Sequence, residues 1–362
     1  MSIEIKKCAV LGAGVMGAQI AGHIANAGIP SLLFDMNEEL AQKGVDGLSK
    51  LKPAPLFSSS NASLVTPCTY DNDMEKLNDC DLIIEAVAEK IEIKHAVYKN
   101  LLPHLKQGAI LASNTSGIPL ANLVEVLPED VQKSFLIAHF FNPPRYLKLL
   151  ELVKGEKTSD EVYETMTEFG ETTLGKGIVH AKDTPGFIGN RLINAGGPLT
   201  YHKAVEMGLT IEDVDALSGT LVGNAKSAYF RTQDVVGLDT ALNVQNNMFD
   251  RVTTESEEER QKFKAPDMLV KLVEDGRLGQ KSGSGWYKKE GKEILSLDLD
   301  TMEYTPTKKR MFDTIRVGKP IKDLKKRLAA ITYLDDIGAK FLWECNAPMF
   351  TYTAELIPEI AD

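Results

Sequence analysis

The residues best placed to do chemistry lie in the stretch HFFNPPRYLKLLE, from His139 to Glu151. A short apolar run, Phe135 to Ala138, precedes it and predicts a strand that delivers His139 at its end. A strand end is a rigid place from which to aim an imidazole into a cleft. Twelve residues on, Glu151 lies inside a second strand-like run, Leu147 to Val153, entered through a Pro143-Pro144 turn. If the two strands are neighbours, the carboxylate reaches the far ring nitrogen of His139. It then fixes the tautomer and stabilises the imidazolium, which makes His139 a usable general base. Taken alone, the pattern also fits a His that closes a strand and a Glu that faces solvent.

The elements around this pair give it a setting. Lys7 to Leu11 predicts a strand, and Gly12-Ala13-Gly14-Val15-Met16-Gly17 follows at once. Ala18 to Ala27 reads as a helix with small residues that let it lie close on a sheet. Ser31 to Phe34 is a second strand ending on Asp35, 18 residues past Gly17. This is the full context of a dinucleotide fold. Gly12 makes the turn, Gly14 lets the backbone approach a pyrophosphate, Gly17 lets the helix pack, and Asp35 accepts the ribose hydroxyls. An acid there repels a 2′-phosphate, so NAD is expected rather than NADP. Asp81 to Val87 is a buried strand, followed by Glu89 and a helix from about Ile91 to Leu105. Gly108 to Ala112 is another strand with Ser113-Asn114-Thr115-Ser116-Gly117 at its carboxyl end, where open α/β sheets bind ligands. That loop also fits a simple cap for the helix beginning near Pro119. Residues 36–72, rich in Pro and Ser from Leu51 to Pro67, read as irregular, and Ile178 to Ala181 closes the sheet.

From Asp183 the periodicity becomes helical. Thr184-Pro185-Gly186 predicts a helix start with Pro in its first turn, and Thr210 to Asp213 a capping box. Pro266 to Asp275 is amphipathic, and a glycine-rich stop ends in Trp286-Tyr287. The expected layout is α/β: a Rossmann-type domain over 1–183, an all-α helical domain over 184–290, and a tail over 291–362. The tail is read as a strand-like piece (Ile294 to Tyr304), a basic linker (Lys308 to Arg327), and an incomplete second helical repeat.

Composition narrows the classes further. The 362 residues carry 41 basic and 51 acidic side chains, a net charge of −10, and no sustained basic stripe, which argues against a nucleic-acid partner. Four cysteines, none in C-x-x-C spacing, indicate neither a disulfide framework nor a metal site. No apolar run reaches the roughly 18 residues of a membrane helix. The first strand begins too early for a signal peptide, so a cytoplasmic protein is expected.

Together these pieces resemble the 3-hydroxyacyl-CoA dehydrogenase family. The matching motifs are GAGVMG with Asp35, EAVAEKIEIK (Glu85 to Lys94), SNTS (Ser113 to Ser116), HFFNP with Glu151, KDTPGFIGNRL (Lys182 to Leu192), VVGLDT (Val235 to Thr240) and GQKSGSGWY (Gly279 to Tyr287). They cover roughly residues 5–290 in order. The resemblance implies NAD-dependent oxidation of (S)-3-hydroxyacyl-CoA to 3-oxoacyl-CoA, a step of fatty acid β-oxidation, with His139 as base and Glu151 as its partner. It also implies substrate contacts from Ser116, Asn142 and Asn190. Glu89 and Lys94 would join Gly12, Gly14, Val15, Met16, Gly17 and Asp35 in holding NAD.

Two departures stand out: the short, Pro-broken segment between Asp35 and Asp81, and Thr220 to Asp234 where many relatives carry a Pro-Gly-Pro loop. These variants and the tail look more like the long bifunctional dehydrogenase/enoyl-CoA hydratase branch, without its hydratase half. Two other classes stay open. One is a dehydrogenase of the 6-phosphogluconate or 3-hydroxyisobutyrate type, which resembles an enzyme with a Lys base where this chain offers Asn190 and Arg191. The other is a non-enzymatic NAD-binding structural protein.

The tail carries its own expectation. Ile337-Gly338-Ala339 echoes Ile188-Gly189-Asn190, and Asn346-Ala347-Pro348 echoes Gly196-Gly197-Pro198 with a one-residue slip. Ile331, Leu334, Ile337, Phe341 and Cys345 form one apolar face. It is expected to pack on helices of residues 185–290, within the chain or across a homodimer. The echo puts Ala339 in place of Asn190, so the copy would be structural, and the sequence stops before the helices that would complete it.

Overall fold

A computed structural model describes residues 3–252, 256–308 and 310–361. The chain divides into two compact units. One runs up to Ile188 and takes back the chain from Ile357 onward; the other spans Gly189–Leu356.

The first unit is a twisted eight-stranded sheet. In chain order it contains β1 (Cys8–Leu11), α1 (Val15–Asn26), β2 (Ser31–Asp35), α2 (Glu38–Leu48), β3 (Val65–Thr69), β4 (Leu82–Glu85), α3 (Ile91–Leu101) and β5 (Ile110–Ser113). Two short helices follow, α4 (Leu120–Val124) and α5 (Glu129–Gln132), then β6 (Phe135–Phe140), β7 (Leu149–Lys154), α6 (Asp160–Glu168) and β8 (Gly177–Ala181). The strand order is β3-β2-β1-β4-β5-β6-β7-β8. Pairing is parallel except between β6 and β7, which are antiparallel. Strands β1, β4, β5 and β6 are buried along their whole length, as continuous apolar runs covered on both faces require. The order reverses at β1, between β2 and β4, so the glycine turn opens at a topological switch point.

The stretch expected to be irregular contains two regular elements. Asn37 caps α2 by accepting the Leu40 N–H, and Glu38 and Glu39 sit in its first turn. Ala41 and Leu48 of α2 are buried and Val45 packs against the core, a narrow stripe at positions 41, 45 and 48. Pro67 lies inside β3, which a proline tolerates because β3 is the sheet edge, paired only with β2. The helix predicted to reach Leu105 stops at Leu101, and a single 3₁₀ turn around Pro103 follows.

The second unit contains α7 (Gly189–Glu206), α8 (Ile211–Ser218), α9 (Phe230–Val236), α10 (Leu238–Arg251), α11 (Glu257–Gln261) and α12 (Asp267–Glu274). Thr210 and Asp213 form the expected capping box at α8. A three-stranded antiparallel sheet follows, of β9 (Tyr287–Glu290), β10 (Glu293–Leu297) and β11 (Tyr304–Pro306). The single strand-like piece read over Ile294 to Tyr304 is thus two strands. Asp298 breaks it by accepting the backbone N–H groups of Asp300 and Thr301. The chain finishes with α13 (Asp313–Gly318), α14 (Leu324–Ile331) and α15 (Ile337–Glu355). Helix α15 packs on α7 within this unit. Ile331 and Phe341 are buried in its core, with Leu334, Ile337 and Cys345 packed against them. The end of the chain returns to the first unit, where Ala361 bridges Ala181 of β8 and Lys182 donates its N–H to the Ile360 carbonyl.

Candidate functional site

Strands β6 and β7 place His139 and Glu151 directly opposite each other. His139 is the fifth residue of β6 rather than the residue after it, so its backbone is held by the ladder. Its Nδ1 lies 2.7 Å from Glu151 Oε2. The other oxygen, Oε1, accepts the Ile188 N–H at 3.0 Å. Glu151 is fully buried, and the imidazole is nearly so, flanked by the rings of Phe141 and Phe187 at 4.5 and 5.6 Å.

The Phe187 flank arises where the fold departs from the helix expected at Thr184. Thr184 to Gly186 does not open a helix; residues 185–188 form a turn, and α7 begins only at Gly189. Gly186 has φ +74° and Phe187 φ +49°, left-handed values that interrupt a helix at its start. This turn brings the Phe187 ring and the Ile188 N–H to the His–Glu pair.

The loop between the two strands is tied down on both sides. Lys176, buried, donates to the carbonyls of Pro144 and of Leu147, the latter at 2.9 Å. Burial lowers its ammonium pKa to about 8. Arg145 donates to the carbonyls of Ala54 and Leu56, both at 2.7 Å, so the Pro-broken segment is pinned against this loop. Asn142, exposed, accepts from Gln19 Nε2 of α1 at 3.1 Å.

At the switch point the glycines behave as their spacing predicts. Gly12 has φ +103°, and a Cβ there would lie 2.7 Å from the Ala86 carbonyl oxygen. A Cβ on Gly17 would lie 1.8 Å from the Gly12 oxygen. Gly14 faces open space, with nothing within 4 Å of a Cβ. It is also the N-cap of α1 and offers no side-chain cap, so the first-turn N–H groups are available to an anion. Val15 is exposed and Met16 half-buried beside it. Asp35 closes the loop: its carboxylate accepts the Ala13 N–H and the Met36 N–H, each at 2.7 Å. An open cradle, uncapped helical N–H groups and a carboxylate at the end of β2 fit a dinucleotide with free ribose hydroxyls.

Glu89, Lys94 and Ser116 form a second cluster. Glu89 accepts from the Thr115 hydroxyl at 2.6 Å, the Ser116 N–H at 2.9 Å and the Ser116 hydroxyl at 3.3 Å. Burial works to raise its pKa, but Lys94 and these donors outweigh it and hold the carboxyl below its usual range. Lys94 is buried, its ammonium 2.7 Å from Glu85 and 3.3 Å from Glu89. Glu85, unassigned from sequence, is the hub. At the end of β4 and fully buried, it accepts from Lys94, Tyr98, Ser113 and the Val87 N–H, at 2.6 to 2.9 Å. Its signal is legible as the acid enclosed by apolar residues on both sides in DLIIEAV, after Asp81 at the run's start. Asn190 belongs to the second unit, as the second residue of α7, and its carbonyl accepts from Asn194.

Residues 7–184 match the family described as 3-hydroxyacyl-CoA dehydrogenase, NAD binding domain, and residues 186–289 that described as 3-hydroxyacyl-CoA dehydrogenase, C-terminal domain. A Bacillus subtilis (strain 168) protein named probable 3-hydroxyacyl-CoA dehydrogenase is 40% identical over 100% of this chain and 48% of its own length. A Deinococcus radiodurans protein with the same name is 42% identical over 79% of this chain and 84% of its own. The crystal structure of (S)-3-hydroxybutyryl-CoA dehydrogenase from Ralstonia eutropha superposes with TM-score 0.66 and 26% identity, over 80% of this chain and 100% of that one. The chain thus spans about half the length of the Bacillus relative.

Proposed function

The chain belongs to the 3-hydroxyacyl-CoA dehydrogenase family, and from that premise we propose that it oxidises (S)-3-hydroxyacyl-CoA to 3-oxoacyl-CoA with NAD, in fatty acid β-oxidation. The observation that carries this reading is the 2.7 Å contact between His139 Nδ1 and Glu151 Oε2 on adjacent strands. The Ile188 N–H engages one carboxylate oxygen and leaves the other to accept from Nδ1. The proton then resides on Nδ1, and Nε2 presents a lone pair that takes the proton of the 3-hydroxyl. Glu151 stabilises the imidazolium so formed, and Phe141 and Phe187 keep water from the ring.

Bound NAD supplies the acceptor for the hydride that leaves C3. The chain's part is to hold it: the α1 N-terminus and Gly14 receive the pyrophosphate, and Asp35 the adenosine ribose. Glu89 bounds the cofactor site, and Lys94 acts through it, because its ammonium is engaged by Glu85 and Glu89. Asn142 contributes a substrate contact and Ser116 polarises the developing ketone; Asn190 keeps the substrate role that the family resemblance gives it. For Ser116 this requires turning its hydroxyl from the long 3.3 Å bond to Glu89. Pairing of two copies through the helical unit and its tail, and a cytoplasmic location, complete the proposal. Four unpaired cysteines suit a reducing compartment.

The test follows NADH absorbance with acetoacetyl-CoA beside free 3-hydroxy acids. Turnover should require the thioester, because a free acid lacks the distal binding energy that orients C3. Equal rates on free 3-hydroxybutyrate would overturn the assignment.

A further inference from the structure

The helical unit holds a cavity of about 720 Å³, within the size range of small-molecule sites. Helix α8, the approach to α9, the β9–β10 hairpin and the linker into α13 enclose it. The segment Lys308 to Arg327, expected as a basic linker, contains α13 and the start of α14, and the dehydrogenase reading leaves its charges unused.

Three features define what the cavity can take. First, its lining carries six basic side chains against three acidic ones, in a chain whose net charge is −10. The acids are largely engaged by the protein. Asp215 accepts the N–H groups of Tyr229, Phe230 and Arg231 and the Tyr287 hydroxyl, and Asp213 belongs to the capping box. Lys226, Lys308 and Lys319, in contrast, make no ion pair among the described residues, and all three are exposed. Such a rim attracts a multiply charged anion. Second, the lining offers apolar surface at the mouth: Met311 is 83% exposed and Ile294 45%, next to buried Phe312. A bare inorganic anion has no use for it. Third, Glu212 contributes a buried oxygen, Oε2, without a hydrogen-bond partner, while its Oε1 accepts the Lys308 N–H. A buried acceptor left unmatched is costly, and an anion alone would repel it; a turn of the half-buried Glu212 side chain toward the cavity would let a ligand hydroxyl satisfy it.

We propose that this cavity binds a phosphorylated ribonucleoside, at a site separate from the glycine loop. Its phosphates meet Lys226, Lys308 and Lys319, a ribose hydroxyl donates to Glu212, and the base lies on the apolar wall. Two sources share this chemistry, a free nucleotide such as ATP and the nucleotide end of CoA.

The test is calorimetric titration of the full chain, saturated beforehand with NADH to occupy the glycine-loop site. ATP, CoA and inorganic tripolyphosphate are the titrants. ATP should bind with one equivalent. For CoA, which the proposed substrate site also takes, the readout is a second equivalent. ATP without the second CoA equivalent assigns the site to free nucleotides, and the second equivalent without ATP assigns it to CoA. Replacing Lys226, Lys308 and Lys319 together by Ala should weaken that binding roughly tenfold or more, through lost charge-assisted contacts. All three are exposed, so the fold is retained. Glu212→Gln keeps an oxygen for the Lys308 N–H but removes the hydroxyl acceptor. It should weaken nucleotide binding several-fold and leave tripolyphosphate unweakened. Absence of both the ATP equivalent and the second CoA equivalent overturns the proposal. So does unchanged affinity in the triple variant or in Glu212→Gln, or tripolyphosphate binding as tightly as the nucleotides.

Discussion

Glu151→Gln is the sharpest test of the His–Glu pair because the substitution keeps size and removes only charge and one acceptor. The two carboxylate oxygens have different neighbours: Oε1 faces the Ile188 N–H at 3.0 Å and Oε2 faces His139 Nδ1 at 2.7 Å. A glutamine can occupy the site in two ways. With its oxygen on Ile188, its NH₂ points at Nδ1, which must then accept, and the ring proton moves to Nε2. The atom proposed to take the substrate proton then already carries one. In the flipped pose the tautomer is right, but NH₂ faces N–H inside a fully buried site, at a cost of about 1–3 kcal/mol. The first pose therefore dominates and leaves a small competent fraction. Even that fraction lacks the charge that stabilises the imidazolium, worth about 4 kcal/mol at 4 Å and an effective dielectric constant near 20. Together the losses, about 5–7 kcal/mol, predict a fall in kcat of about 10⁴–10⁵. NAD affinity should be unchanged, because Glu151 lies on β7 and the glycine loop follows β1. The assay is acetoacetyl-CoA reduction followed by NADH absorbance, with NADH binding measured by fluorescence. The double variant with His139→Gln should be no worse than His139→Gln alone, since the two residues act as a unit. A kcat within tenfold of the parent refutes the reasoning.

Further outcomes follow from other parts of the molecule. Asp35 should give NAD roughly a 10²-fold or greater advantage in kcat/KM over NADP, since opposing a carboxylate to a 2′-phosphate costs several kcal/mol; comparable values for the two cofactors contradict this. Burial, and then the nearby charge of Lys176, lower the buried His23 to a pKa of about 4 from 6.5. The unfolded chain therefore binds the His23 proton first as pH falls, so the stability it contributes is fully present above pH 6.5 and lost progressively toward pH 4. The loss is about 3 kcal/mol over that window. Urea unfolding at pH 7 and pH 4.5 should show a smaller difference in His23→Gln than in the parent, and equal differences would refute the assignment. Phe341→Ala, at a position 1% exposed, should destabilise the helical unit by about 3–5 kcal/mol, and an unshifted urea midpoint would place the tail outside that core.

What the sequence revealed, and what it did not, follows from the range of each physical constraint. Gly12 and Gly17 were legible because their requirements are local: a left-handed φ at one, and at the other a backbone oxygen where a side chain would stand. The pairing of His139 with Glu151 was legible because two short strands joined by a proline turn have few ways to lie apart. Lys94 was less so. The resemblance casts it as a cofactor contact, yet its ammonium is buried between Glu85 and Glu89, a partnership set by the closure of β4 on α3. Helix α2 carries only a narrow stripe, Ala41, Val45 and Leu48, which Gly44 and Gly47 weaken and the Pro- and Ser-rich run after it masks. Pro185 reads as a first-turn proline, although Pro followed by Gly equally signals the turn found at Phe187. A positive φ at a bulky residue appears in no pattern of residue types.

The tail shows how a weak echo gains meaning from packing. Helices α7 and α15 are the elements that the echo relates; each carries a proline inside it, Pro198 and Pro348, and they lie against each other. The contact has a polar tie as well as an apolar one. Arg191 of α7, fully buried, donates to Tyr352 of α15 at 3.2 Å and to Glu259 of α11 at 3.1 Å. Tyr352 in turn donates to Glu259. A buried guanidinium is tolerated only with such partners, so α7 depends on α15 to satisfy Arg191 as well as to cover its apolar face. We read α15 as a structural copy of α7 on these grounds. Asn190, the proposed substrate contact, corresponds to Ala339, which is buried in the same core. A methyl group packed there has no hydrogen bond to offer a substrate, and in this reading the copy serves to hold the first helix in place.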